Sequence, residues 1–290
     1  MPSEYLCNLI VPGAAKSGTS SFHEYLNEHP EISMSSSKEP HHFARNDIYA
    51  QGANAHNKLF EQTQGVRYFG ESSTGYLPWA DAAARVASDL DDPKVIILLR
   101  HPVDRCFSHY RWRYRLGLEK RGFLQALKED GVGYNPEKPT QFGYMAYLEF
   151  SQYERQYAIW KDAVGEENCL VISSEDLLND RSHVMEQCFS FLNVSKFTLS
   201  EEHQKKNETN KIGRISPEMA TKAMRFVPKG LKSSWLYKKI RRSLLSSTAP
   251  TPPKSMTQEE RAFVQRALAD DIRWFESRFG QSSSVSKKAK

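Results

Sequence analysis

The stretch Pro12-Gly13-Ala14-Ala15-Lys16-Ser17-Gly18-Thr19-Ser20-Ser21 constrains this chain more than any other. It follows the apolar run Leu9-Ile10-Val11 and precedes Phe22, Tyr25 and Leu26, which recur at helical spacing. A strand, a glycine-bearing turn and a helix start, in that order, leave backbone N–H groups unpaired at the positive end of the helix dipole. The arrangement predicts a site for a phosphate-like anion.

The rest of the chain alternates strand and helix, the α/β signature. Tyr5 to Val11 reads as a buried strand, Thr19 to about Glu28 as a helix stopped by Pro30, Ile32 to Met34 as a second strand and Val66 to Gly70 as a third. An Ala-rich helix follows Pro78 and runs to about Leu90. Lys94-Val95-Ile96-Ile97-Leu98-Leu99 is apolar on both faces, as a central parallel strand should be. After Pro102 a helix carrying Val103, Phe107, Tyr110 and Tyr114 on one face continues to about Gly117. A polar loop, Tyr134 to Thr140, leads to one long aromatic helix with Tyr144, Tyr147, Phe150, Tyr157 and Trp160, either core packing or an acceptor-binding wall. Leu170 to Ser173 reads as a fifth strand and Ser182 to Leu192 as a helix. Thr257 with Glu260 makes a capping box for a final helix to about Phe279.

With 290 residues, 39% of them hydrophobic, the expectation is one domain over residues 1–280, with a disordered Ser/Lys tail at 281–290. Nothing approaches the roughly 20 apolar residues of a membrane span, and a first strand near Tyr5 leaves no room for a signal peptide, so a cytoplasmic protein is expected. Cys7, Cys106, Cys169 and Cys188 are far apart and read as buried reduced thiols rather than metal ligands or a disulfide framework. Charge is uneven: His203 to Arg242 holds twelve Lys or Arg against Glu208 and Glu218, a local +10 in a chain of net +5. That segment is either a solvated face or a surface for a polyanion or membrane.

A nucleotide kinase of the Walker type would place its lysine directly after Gly18, where Thr19 stands, and a metal-binding Asp at the end of a buried strand. Here the lysine lies inside the loop, at Lys16, and the central strand ends in Arg100. A guanidinium there and the Ser108 hydroxyl in the next helix can together grip a second phosphate. Two anion sites on one sheet edge point to a nucleotide phosphorylated at two places.

Those residues resemble the sulfotransferases that use 3′-phosphoadenosine 5′-phosphosulfate (PAPS). Lys16 to Ser21 is similar to that family's 5′-phosphosulfate loop, and Arg100-His101-Pro102-Val103-Asp104-Arg105-Cys106-Phe107-Ser108 to its 3′-phosphate motif, RxPxxRxxS. Lys38-Glu39-Pro40-His41-His42-Phe43, Gly70-Glu71-Ser72-Ser73-Thr74-Gly75-Tyr76-Leu77 and Glu175-Asp176-Leu177 extend the likeness over about residues 5–195, closest to the carbohydrate enzymes related to those of heparan sulfate.

The resemblance implies a three-layer P-loop-type α/β fold: a central, mostly parallel five-stranded sheet flanked by helices. A donor core at about 5–195 would be followed by a basic variable region at 200–255 and a C-terminal helix at 257–279. It implies transfer of a sulfuryl group from PAPS to a hydroxyl, most plausibly of a glycan that is itself anionic, with no metal and no nucleic-acid partner. Lys16 would contact the bridging oxygen while Ser17, Gly18, Thr19, Ser20 and Ser21 hold the 5′-phosphate, and Arg100 and Ser108 would hold the 3′-phosphate. Glu39 resembles the base, and His41 orients it or serves as base itself. A carboxylate with an intrinsic pKa of about 4.3 cannot deprotonate an alcohol beforehand, so proton transfer accompanies attack.

Two departures stand out. Ser72 occupies the place of a lysine that the family often carries, and the late Lys-Gly segment that closes over the 3′-phosphate has no clean counterpart. Lys211 and Arg214, in Lys211-Ile212-Gly213-Arg214, are the nearest candidates, unless they belong to an acceptor loop. The competing readings are a small-molecule kinase using ATP and Mg²⁺, a sulfotransferase for a lipid or phenolic metabolite, and a non-catalytic polyanion binder built on the basic segment.

Overall fold

The structure, a computed structural model, describes residues 3–130, 146–200 and 251–280. Five strands form one sheet: β1 (Leu9–Val11), β2 (Ile32–Met34), β3 (Tyr68–Ser72), β4 (Lys94–Leu99) and β5 (Cys169–Ser173). Their order is β2-β3-β1-β4-β5, and every pairing is parallel. β1 lies at the centre, with Ile10 opposite Glu71 on one side and Val95 on the other.

Alternation along β4 builds the layers, because successive side chains point to opposite faces. Val95, Ile97 and Leu99 pack with α4 (Ala80–Asp89) and α7 (Tyr153–Val164), while Ile96 and Leu98 pack with α1 (Thr19–Asn27) and α9 (Arg181–Phe191). In α1, Phe22 and Leu26 are fully buried one turn apart, each contributing about 2 kcal/mol. The remaining helices are α2 (Asn46–Tyr49), α3 (Gly52–Asn57), α5 (Pro102–Arg115), α6 (Phe123–Lys128), α8 (Ser174–Asn179), α10 (Gln258–Ala267) and α11 (Ala269–Phe279).

The elements depart from expectation where a long-range partner intervenes. β1 starts at Leu9 rather than Tyr5, since the Leu6 N–H donates to the Asn57 side chain (2.9 Å) instead of a neighbouring strand. β3 runs two residues later than expected, carrying Glu71 and Ser72 into the sheet, both completely buried. No single long aromatic helix forms among the described residues: a 3₁₀ turn at Glu149–Ser151 and α7 are separated at Gln152. The Asp130 carboxylate, accepting the amides of Tyr147, Leu148 and Glu149, holds that break. Tyr144 lies outside the described residues, as does the Tyr134–Thr140 loop.

The final helix is likewise two, broken at Leu268. α10 packs on α5 and α6, whereas α11 packs on α7 and α5, where Asp271 accepts the Glu154 N–H at 3.1 Å and Phe275 is fully buried. One straight rod cannot reach both sets of neighbours. The expected capping box between Thr257 and Glu260 is present.

Candidate active site

The carboxyl ends of all five strands open into one cleft of about 770 Å³. β1 delivers the glycine-bearing loop, β2 leads to Lys38 and Glu39, β3 to Thr74, β4 to Arg100, and β5 to Ser174 and Glu175. That edge is where parallel α/β sheets take their ligands, because loops and helix N-termini converge there.

The loop after β1 is pinned from both sides. Ala14 N–H donates to Leu98 O (2.7 Å), Leu98 N–H to Gly13 O (2.9 Å) and Leu77 N–H to Pro12 O (2.9 Å). A side chain on Gly13 would meet Leu77 Cβ at 2.8 Å, so the close approach requires glycine. Gly18 caps α1 in the left-handed region (φ 93°) and offers the first turn no side-chain acceptor, which leaves the leading amides for an anion. Lys16 is itself left-handed (φ 76°), and its ammonium lies 5.4 Å from the centre of the Trp112 ring. Burial, and then the nearby charges of Arg115, Arg100, Arg105 and Lys38, lower its pKa from 10.5 to about 8. This is a cationic centre awaiting negative charge.

Arg100 follows β4, with its carbonyl accepting the Tyr153 hydroxyl at 2.9 Å. Its guanidinium has no hydrogen-bond or ion-pair partner among the described residues, and Ser108 on α5 lines the same cleft. Arg105, between them in sequence, is instead completely buried. It donates to Ser151 Oγ (2.7 Å), His109 Nδ1 (3.2 Å) and the Tyr147 carbonyl, tying α5 to the 3₁₀ turn. Within the RxPxxRxxS pattern, one arginine faces the cleft and the other supports its wall.

Opposite them, the segment after β2 is held in a costly conformation. Glu39 and His41 both have positive φ (58° and 55°), at on the order of 1–3 kcal/mol each. Buried Glu71 underwrites it. Its carboxylate accepts the hydroxyls of Ser73 and Tyr76, both at 2.9 Å, and those oxygens in turn accept the amides of His41 (3.0 Å) and Phe43 (2.9 Å). Glu39 N–H donates to Ser72 O at 2.9 Å.

The Glu39 carboxylate can then be counted atom by atom. Oε1 accepts from Lys38 Nζ (2.8 Å) and Thr74 Oγ1 (2.9 Å), and Oε2 accepts from the Thr74 N–H (2.8 Å). Two lone pairs per oxygen leave one, on Oε2, without a hydrogen-bond donor among the described residues. His41 Nε2 stands 3.7 Å from that oxygen. Burial lowers the His41 pKa, with Glu39 acting in the opposite sense.

Lys16, Ser17, Gly18, Thr19, Ser20 and Ser21 thus share one cleft with Arg100, Ser108 and Glu39. His41 is not part of its lining, and Lys211 and Arg214 lie outside the described residues. Three further contributors are not singled out by the sequence: Lys38 and Thr74 lie within the Lys38–Phe43 and Gly70–Leu77 segments, and Trp112 lies one turn beyond Ser108. Glu175 also lines the cleft, but its oxygens are taken up by the His101 amide and the hydroxyls of Ser173 and Ser174. Among the described residues no group of three His, Cys, Asp or Glu could hold a metal ion.

Comparison with known proteins bears on this geometry. The family model described as "Sulfotransferase domain" matches residues 7–249. A membrane-associated sulfotransferase, kil1, from Dictyostelium discoideum is 38% identical over 110 residues, 37% of this chain and 23% of that protein. Human heparan sulfate glucosamine 3-O-sulfotransferase 3B1 is 32% identical over 108 residues, 37% of this chain and 27% of that protein. The chain therefore spans about a quarter of the length of these curated relatives. A sulfotransferase crystal structure from Alicyclobacillus acidocaldarius superimposes with a TM-score of 0.59 at 29% identity, covering 76% of this chain and 90% of that one.

Proposed function

The chain belongs to the sulfotransferase domain family, and on that premise we propose that it transfers a sulfuryl group from PAPS to a carbohydrate hydroxyl, releasing adenosine 3′,5′-bisphosphate. The observation that carries the reading is the shared cleft: a lysine-bearing anion loop on β1 and, after β4, a guanidinium without a partner among the described residues, together with a serine, open into one space. A donor charged at both ends of its nucleotide would use both cations.

In the proposed reaction the acceptor oxygen attacks sulfur while its proton passes to the open lone pair of Glu39. The bond from sulfur to the bridging oxygen breaks, and the charge left on the 5′-phosphate is taken up by Lys16 and the amides of the loop. Glu39 rather than His41 is the base in this reading. Support comes from the position of Glu39 in the cleft lining and from the absence of His41 from it. His41 backs the carboxylate as a largely neutral ring.

A carbohydrate acceptor is favoured by the name of the human relative and by Trp112, whose ring beside Lys16 suits stacking against a sugar. The +10 segment favours an anionic glycan. No helix among the described residues is long and apolar enough to cross a membrane. The four free cysteines, three of them buried, are the support for a cytoplasmic setting.

A melting-temperature comparison tests the donor assignment. Adenosine 3′,5′-bisphosphate at about 100 times its Kd adds roughly 2.7 kcal/mol of stability. Arg100→Ala should weaken that ligand by about tenfold or more while leaving adenosine 5′-monophosphate nearly unchanged. Stabilisation by ATP with Mg²⁺ but not by the bisphosphate would reject the proposal.

A further inference from the structure

The second ammonium in the cleft has no role in the reaction as described so far. Lys38 lines the same space as Lys16, its side chain only 23% exposed, with its Nζ on Glu39 Oε1 at 2.8 Å. That contact, together with the Thr74 hydroxyl, fills both lone pairs of Oε1. A lysine held there permanently would keep an acceptor position of the base occupied. Meanwhile the β3 position facing this region is Ser72, fully buried and hydrogen-bonded to His23 Nδ1 at 2.9 Å, so β3 supplies no charge there.

We propose that Lys38 is a second catalytic cation, paired with Glu39 as the structure shows and turning to the non-bridging oxygens of the sulfuryl group when the donor is bound. The proposal rests on PAPS being the donor. Its chemistry balances without further reagents. The acceptor oxygen forms the new bond to sulfur, the electron pair of the old bridging bond leaves on the 5′-phosphate, and the hydroxyl proton goes to Glu39. Lys38 keeps all three of its protons throughout. Its departure from Oε1 frees a second lone pair on the carboxylate as the proton arrives. Its arrival at sulfur opposes the charge on oxygens that Lys16, directed at the leaving side, does not reach. The long, flexible lysine stem makes such a swing inexpensive.

Donor and product differ by the sulfuryl group alone, so a comparison of their affinities isolates this contact without any acceptor. Calorimetric titration of the full-length wild type, Lys38→Met and Lys38→Arg with PAPS and with adenosine 3′,5′-bisphosphate is the experiment. Losing a charge-assisted contact should weaken PAPS by about tenfold in Lys38→Met, with the bisphosphate within about twofold of wild type. Lys38→Arg should recover much of the difference. Equal factors for the two nucleotides, or no change in either, overturn the role of Lys38 while leaving the donor assignment standing. Wild-type protein that binds neither nucleotide overturns the donor assignment itself, and this role with it.

Discussion

Thr74 holds the Glu39 carboxylate with two hydrogen bonds, one from its backbone N–H (2.8 Å) and one from its hydroxyl (2.9 Å). The pair sets the direction in which the open lone pair of Oε2 points, and a base acts only within hydrogen-bond reach of the proton it takes. Thr74→Val removes the hydroxyl and keeps the shape. It should lower kcat for release of adenosine 3′,5′-bisphosphate from PAPS about tenfold, since a small misplacement of a catalytic group is costly. Binding of the bisphosphate should be untouched and Thr74→Ser should restore the rate. Parallel losses in binding and melting temperature would instead mark Thr74 as a packing residue.

Lys16 makes the cleft sensitive to alkaline pH. Its pKa lies near 8 because burial and neighbouring cations disfavour the charged form, so the ammonium that an anionic donor needs is lost as pH rises through that value. Affinity for adenosine 3′,5′-bisphosphate should therefore fall above about pH 8 in the free protein, and Lys16→Arg should move the fall to higher pH. The stability effect has the opposite sign. Between pH 8 and 10.5 the unfolded chain binds more protons at this site than the folded one, so the fold gains stability as pH rises across that window. Lys16→Met should accordingly raise the melting temperature of the ligand-free protein at pH 7 while abolishing binding. A flat binding profile from pH 7 to 9.5 would contradict this account.

What could be read in the chain beforehand is what lies contiguous in it. The β1 loop, the apolar β4 run and the Arg100 motif are each local, and the structure makes β4 a core strand that delivers Arg100 to the cleft lined by the β1 loop. The Glu39–Thr74 contact joins residues 35 positions apart and exists only because β3 inserts between β2 and β1. No local pattern encodes that order. Buried polar strand residues misled in the same way: Glu71 and Ser72 fall beyond the expected strand end at Gly70, and their place in β3 makes sense only with their partners, Tyr76, Ser73 and His23. The two helix breaks, at Gln152 and Leu268, serve Asp130 and Asp271, whose acceptors are spent on distant amides.

Arg105 separates wall from cleft lining within the RxPxxRxxS motif. Its guanidinium is completely buried, and with three donated hydrogen bonds it holds the middle of α5, one turn before Ser108 and two before Trp112, against residues 147–151. Because Arg105 can only donate, His109 Nδ1 must accept, which fixes that ring with its proton on Nε2. Arg105→Met keeps much of the volume but leaves the Tyr147 carbonyl and Ser151 hydroxyl short of a partner, at about 2–4 kcal/mol. In a chain of this size that corresponds to a fall in melting temperature of roughly 5–10 °C. Below the new transition the bisphosphate should still bind within a few-fold of wild type, since Arg105 does not line the cleft. The opposite pattern, an unchanged melting temperature with lost binding, would transfer Arg105 from the wall of the site to its ligand contacts.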